Sequence, residues 1–334
     1  MTEAPSIALG VIVAPGVAED VTQKAAADLA ADLRRSYGSV GWKTDLVVDR
    51  LVQPPAATTE LFDAARRKLL EADWDLAVVV TDIPLSVGRR PVTSHISPTH
   101  AIALVSLPAL GPLHLRRRLH RTLAGLVRQL VGDGGNHALR ELATDEKSLF
   151  LPALLGHLRL LLGMVRANRP WRLASRLSGA LVAAFAAGAY GLVTSDIWRL
   201  SGSMGWWRLT VACVIAILVT VFAVIAAHGL WERAPDSRVR DQVVLFNIAT
   251  TATVVLGIMA LYVVLFALVL ASAAVLIPAE LLERAVGHAP GALDYATVAW
   301  FAASFATVAG ALGAALESDA AVREAAYATV LEDA

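Results

Sequence analysis

The alternation of apolar and polar positions changes character near residue 177. Before that point, short apolar runs alternate with segments of helical spacing. Residues 7–13 form a compact apolar run closed by Pro15-Gly16, which reads as a strand and its turn. Residues 19–36 follow with helical spacing, acidic at the start and carrying Arg34-Arg35 at the end, as the helix dipole favours. The same reading gives strands at 46–48, 76–81 and 101–107, and helices at 58–71 and 113–131. Strands alternating with helices over this length predict an α/β domain across residues 1–150, its sheet covered by helices. The segment 89–100 separates two strands without helical periodicity and reads as a hairpin or an irregular loop.

After residue 176 the pattern is nearly continuous hydrophobicity. A helix needs roughly 20 apolar residues to cross the hydrocarbon core. Four uncharged stretches meet this length: 177–195, 209–231, 242–279 and 295–316, with 19, 23, 38 and 22 residues. The third would be about 57 Å long as a helix at 1.5 Å per residue. Its interior has no Pro-Gly, Asn-Gly or charged turn, so it predicts one helix that crosses the bilayer and protrudes beyond it. The expected architecture is therefore an α/β soluble domain at 1–150, a basic amphipathic coupling helix at 151–176, and an all-α transmembrane domain of four spans at 177–334 with a helical tail. Small residues recur every fourth position in the first span (Gly179, Ala183, Ala187, Gly191) and in the fourth (Ala302, Ala306, Gly310, Ala314), which lets helix backbones approach closely.

Composition supports a membrane protein. Of 334 residues, 56% are hydrophobic and only 17% charged, against about 25% charged in ordinary soluble proteins. The formal net charge is zero, but its distribution is uneven: residues 1–85 carry −5, residues 86–176 carry +10, and residues 177–334 carry −5. A basic block beside a hydrophobic half points to the inner leaflet. Arg159, Arg166, Arg169, Arg172 and Arg176 precede the first span, and Arg233, Arg238 and Arg240 fill the loop between the second and third. Both termini are thus expected in the cytoplasm of a multi-pass inner (plasma) membrane protein. Residues 1–10 lack a basic region followed by a long apolar core, so no cleavable signal peptide is expected. Trp198, Trp206, Trp207, Trp231 and Trp300 fall near span boundaries, where an aromatic belt would sit.

Candidate chemistry is sparse. Cys213 is the single cysteine, which excludes an intramolecular disulfide and a cysteine-based metal site. No glycine-rich loop ends in Lys-Ser/Thr and no GxGxxG follows the first strand, so phosphate cradles of those kinds are absent. If the strands are parallel, Asp82 and the loop carrying Arg89, Arg90, His95 and His100 lie at a carboxyl end of the sheet, where α/β domains place ligands; these five residues are the candidate site for a small anionic group. On the helix at 113–131, Leu115, Leu119, Leu123, Leu126 and Leu130 form an apolar stripe while Arg116, Arg117, Arg118 and Arg121 project elsewhere. That cationic face suits the membrane surface and anionic lipids; nucleic acid is disfavoured because aromatic residues do not interleave with the charges. No catalytic residue, no metal ligand set and no cofactor is expected. No Asp, Glu, Lys or Arg lies inside a predicted span, which argues against a proton-driven pump.

The succession Val79-Val80-Thr81-Asp82, a loop, Ala103 to Leu107 and then a helix looks like the sheet-to-helix order of archaeal-type zincin metalloproteases. The zinc motif itself is missing: His120 is followed by Arg121, and Ala124 stands where the second ligand belongs. The tail GALGAALESDAAVREAAY (310–327) together with LVSLPALG (104–111) resembles uncharacterised membrane proteins of actinobacteria that pair a soluble domain with several spans. The resemblance implies that architecture and no particular activity. The leading reading is a non-enzymatic membrane protein whose cytoplasmic domain binds a small anionic ligand, a protein partner or a second copy of the chain. The alternatives are a transporter component and a membrane-tethered hydrolase with a degenerate zincin-like domain.

Overall fold

A computed structural model describes residues 6–38, 40–87, 90–131, 147–150, 153–168, 170, 177–234 and 239–314. The chain divides into two compact units. The first comprises residues 1–167 and 233–249, the second 168–232 and 250–334.

The first unit is built on a sheet of strands β1 (Ser6–Val13), β2 (Gly41–Val48), β3 (Leu76–Thr81), β4 (Ser86–Val87), β5 (Arg90–Ser97), β6 (Ile102–Ser106) and β7 (Lys147–Phe150). Their order is β2-β1-β3-β6-β5-β4, with β7 also paired to β5. Strands β2, β1, β3 and β6 are mutually parallel, while β5 runs antiparallel to β6. Helix α1 (Val17–Ser36) links β1 to β2, α2 (Thr58–Glu71) links β2 to β3, and α3 (Leu115–Val131) follows β6. The expected α/β architecture is present, with strands longer than the apolar runs alone indicated. Segment 89–100 contains β5, and the antiparallel pairing of β5 with both β4 and β6 selects the hairpin reading over the irregular loop.

Both faces of the sheet are buried, which is why β3 and β6 read as unbroken apolar runs instead of alternating ones. Leu9, Val11, Val13, Val78, Val80, Ala103 and Val105 face α1 and α3, where Leu29, Leu119, Leu123 and Leu126 complete the core. Ile12, Ala77, Val79, Ile102 and Leu104 face α2 through Leu61, Ala65 and Leu69. The leucine stripe expected on α3 is thus its core face. Helix α4 (Ala153–Ala167) packs on the 3-10 turn Pro108–Leu110 and buries Leu160, Met164 and Val165, leaving Leu158 and Leu162 exposed.

The second unit is helical. It holds α5 (Ser178–Leu192), α6 (Ser195–Ser203), α7 (Trp206–Ala227), α9 (Ala279–Val286), α10 (Ala292–Ala314) and, from Thr250 onward, the continuation of α8 (Arg240–Leu276). Segment 242–279 is, as its composition indicates, covered by a single helix of 37 residues. Among the described residues α7, α8 and α10 are long and apolar enough to cross a membrane. The stretch at 177–195 is not one straight helix: α5 and α6 meet at a bend of 87°, and only together as a bent pair are they long and apolar enough to count as a fourth candidate span. Thr194 interrupts the helix there, and Trp198 turns inward to donate its indole N–H to the Leu192 carbonyl at 2.9 Å. Trp198 is therefore a buried clasp and no part of an aromatic belt, whereas Trp206, Trp207 and Trp231 are exposed.

Small residues bring α5 and α10 together within the chain. On α10 the buried positions are Ala302, Ala306 and Gly310, as the four-residue spacing indicates; Ala314 has no described side chain. On α5 the contact face is Ala180, Ala184 and Gly188, one residue on from the Gly179–Ala183–Ala187 row, of which Gly179 is exposed. Two small-residue rows coexist on this helix, and only packing chooses between them. A side chain at Gly310 would stand 2.9 Å from both the Ala180 carbonyl oxygen and the Ala184 Cβ. Replacing Gly310 by Val should therefore cost about 1–3 kcal/mol through overpacking, seen as a lower melting temperature of the detergent-solubilised chain. Replacing Gly125 of α3 by Ala, where a side chain meets nothing within 4 Å, should cost nothing in the same assay.

Candidate functional site

The carboxyl ends of β1, β2, β3 and β6 share one edge of the sheet. Ladder bonds continue a step past the strands: Ala14 N–H to the Val80 carbonyl at 3.0 Å, Asp49 N–H to Val13 at 2.9 Å and Leu107 N–H to Thr81 at 2.9 Å. Strand β2 lies on one side of β1 and β3 on the other, so the connections diverge between β1 and β3. Open α/β sheets bind ligands in the crevice at such a divergence.

Two charged side chains occupy this edge. Arg50 directly follows the loop residue Asp49 after β2, and Asp82 follows β3; the Arg50 Nη2 lies 3.7 Å from Asp82 Oδ2. Both are largely buried, 14% and 16% exposed. Neither Asp82 oxygen nor the Arg50 Nε has a hydrogen-bond partner of good geometry among the described residues. Burial pushes the Asp82 carboxyl above the usual carboxylate range, against the opposing pull of the Arg50 charge and of its own backbone amide. The neighbouring groups are better satisfied. Asp49 accepts the Leu51 N–H at 2.9 Å and faces Lys68 at 3.4 Å. Thr81 Oγ1 accepts the Ile83 N–H at 3.1 Å and Ser106 donates to the Ile83 carbonyl at 3.0 Å, which fixes the loop on either side of Asp82.

Gln242, in the first turn of α8, joins this edge. Its Oε1 accepts the Ala56 N–H at 3.0 Å and its Nε2 donates to the Pro84 carbonyl at 3.3 Å. One amide thus clasps the loop that carries Arg50 and the loop that carries Asp82. Sequence reasoning missed both Arg50 and Gln242. The Asp49-Arg50 pair immediately after a strand was a usable signal for the first; nothing local marks Gln242, a lone amide opening an apolar stretch.

The five sequence-derived candidates do not converge. Asp82 is at the carboxyl edge, and Arg90 opens β5 near the same edge. Arg89 lies outside the described residues. His95 sits in the middle of β5, opposite Leu104, buried and edge-on to Phe62 with ring centroids 5.0 Å apart. His100 is in the 3-10 turn Pro98–His100, its Nδ1 2.7 Å from Ser97 Oγ, at the amino end of β6. Ser106 at the other end of β6 is four residues from Ile102, roughly 13 Å at 3.3 Å per residue. A strand spreads along its length what a loop would have gathered.

The arginines of α3 are also divided. Arg116 pairs with Asp28 of α1 at 2.7 Å, Arg118 donates to the Leu110 carbonyl at 2.7 Å, and Arg117 and Arg121 are exposed. His120 lies 2.8 Å from Asp32 of α1. Among the described residues no three His, Cys, Asp or Glu side chains are grouped to hold a metal ion. In the helical unit, Asn168 donates to Thr253 at 3.2 Å and Tyr262 lies 3.1 Å from Ser304 Oγ, so polar side chains there join helices. Comparison of the chain with protein-family models, curated proteins and solved structures gave no match.

Because the folded-state pKa of Asp82 lies above its unfolded value of about 3.9, the folded unit holds this proton over a pH window in which the unfolded chain has lost it. Asp82 therefore costs no stability below that window and destabilises the unit progressively as pH rises through it. Replacing Asp82 by Asn should remove this component: the difference in urea midpoint, Asn variant minus wild type, should grow from about pH 4 upward, followed by fluorescence of Trp42 and Trp74. A difference independent of pH would show that Asp82 titrates normally.

Proposed function

We propose that the chain is a multi-span protein of the inner (plasma) membrane whose cytoplasmic α/β unit binds a small anionic ligand at the carboxyl edge of its sheet and passes the bound state to α8. The clasp of Gln242 on both site loops carries this reading. Arg50 is a buried cation held by one distant carboxylate, and Asp82 is a carboxylate that burial inclines to take a proton. A ligand anion that reaches Arg50 replaces a loose 3.7 Å contact with direct charge-assisted hydrogen bonds, and protonation of Asp82 removes the competing charge. The β2–α2 and β3–β4 loops then shift relative to each other. Each is bonded to one end of the same amide, so the first turn of α8 follows. Helix α8 is continuous from Arg240 to Leu276, and its first turn is the part that the two loops hold.

The full chain in nanodiscs, titrated with inorganic phosphate and with succinate, tests this. One of these anions should raise the melting temperature of the wild type and not of an Arg50→Gln variant. Ligand should slow amide hydrogen exchange at residues 49–57 and 82–87 and at the start of α8. In a Gln242→Ala variant the loops should still respond while α8 does not. Equal stabilisation of wild type and Arg50→Gln would overturn the site, and an unchanged α8 response in Gln242→Ala would overturn the coupling.

The arginine asymmetry supports the cytoplasmic assignment. A reporter fused after Ala334 should report cytoplasm, as should one fused after Asp241; opposite locations for the two would require an odd number of crossings between them.

A further inference from the structure

In the turn that follows β6, two guanidinium groups converge on a single backbone carbonyl. Arg118, on α3, donates from Nη1 to the Leu110 oxygen at 2.7 Å; Arg159, on α4, donates from Nη2 to the same oxygen at 2.8 Å. Leu110 closes the 3-10 turn Pro108–Leu110 and is buried. Among the described residues neither arginine lies within ion-pair distance of a carboxylate, and Arg159 Nε is buried with no hydrogen-bond partner. One neutral carbonyl therefore anchors two like charges.

The backbone between them is shaped to allow this. Gly111 has φ +80°, and a side chain there would stand 2.8 Å from Arg159 Cγ, 2.9 Å from Arg159 Nε and 3.2 Å from Arg118 Nη1. Glycine lets both arginine stems close over the chain. Burial, and then the charge of Arg118, weaken the hold of Arg159 on its proton, as expected for cations brought together without an anion. After the bonds to Leu110, each planar guanidinium keeps several N–H donors in fixed fork geometry.

We propose that Arg118 and Arg159 form a binding site for a phosphoryl group, with the Leu110 carbonyl holding the two forks in place. Among the described residues the pair has no anionic partner, and a phosphate would supply one: negative charge and several acceptor oxygens that two guanidiniums can engage at once. The group is either the phosphate of a phospholipid headgroup or that of a soluble phosphate compound. The exposed Leu158 and Leu162 on α4 place apolar side chains on the helix that carries Arg159, which the lipid source would use. This site shares no residue with the Arg50–Asp82 contact.

The test uses the full chain in lipid-free maltoside micelles. One arm titrates inorganic phosphate and glycerol phosphate; the other adds short-chain phosphatidylglycerol, with retained lipid counted by native mass spectrometry. Binding is read by calorimetry, and fold by the circular dichroism of each variant. Wild type should bind in at least one arm, and the arm identifies the source: soluble phosphates if the first alone responds, lipid if the second alone does. Arg118→Gln and Arg159→Gln should each weaken binding at least tenfold. Arg117→Gln, which removes the same charge from an exposed position on α3, should change it less than about twofold at moderate salt, where the Debye length is about 8 Å. Arg159→Lys, which keeps charge and stem but loses the fork, should fall between and serves if the glutamine variants misfold. No binding by wild type in either arm, or equal losses from Arg117→Gln and Arg118→Gln, would overturn the proposal.

Discussion

The unbroken backbone of α8 is the constraint on which the rest of this structure depends. The 37 residues from Arg240 to Leu276 satisfy their backbone hydrogen bonds within one continuous helix, the condition a segment in hydrocarbon would have to meet. At 1.5 Å per residue that is about 55 Å, well beyond a hydrocarbon core of about 30 Å. A helix of this length that crossed a bilayer would extend beyond it. The turns up to Ala249 belong to the α/β unit, which is where Gln242 meets the loops of the sheet edge.

Packing in the helical unit follows from a different limitation. Where helices pack through rows of small residues, close approach of their backbones supplies the contact. Ala180, Ala184 and Gly188 on α5 and Ala306 and Gly310 on α10 provide it. With only 15 residues, about 22 Å at 1.5 Å per residue, α5 is too short to cross alone. The chain turns at Thr194 and continues as α6, whose Trp198 closes the corner by bonding Leu192. Polar side chains then act as joints: Thr220 donates to the Ala216 and Thr307 carbonyls, linking α7 to α10.

The α/β unit is stabilised in the ordinary way, by two apolar faces of one sheet, and its unusual features are electrostatic. Charges taken out of water are tolerated when paired and hydrogen-bonded, and are costly otherwise. Arg116 with Asp28 and Lys68 with Asp49 are exposed or half-exposed pairs of modest worth. The Arg50–Asp82 contact is a loose, largely buried one, and Arg118 and Arg159, both half-buried, converge on one carbonyl with no close ion pair among the described residues. Among the described residues both leave buried polar atoms without a hydrogen-bond partner: Arg50 Nε and the Asp82 carboxylate in the one, Arg159 Nε in the other.

The α/β and helical halves, the helices of the α/β unit, its central strands and the unity of α8 were legible in the sequence because each depends on periodicity or on length, and those are local properties; the break at Thr194 between α5 and α6 was not. The leucines of α3 at their helical spacing and the uncharged run after Asp241 need no partner to be recognised. What only the tertiary structure decided was which groups meet. Residues 90–97 became a strand because β4 and β6 were there to pair with it, and that pairing separated Asp82, His95 and His100, which share one stretch of sequence. Two rows of small residues on α5 were equally readable, and packing against Gly310 used the second. Arg50 with Asp82, Gln242 with Ala56 and Arg118 with Arg159 are separated by 32, 186 and 41 positions. A charge or an amide carries no periodicity that names its partner, so its role emerges only when the chain has closed around it.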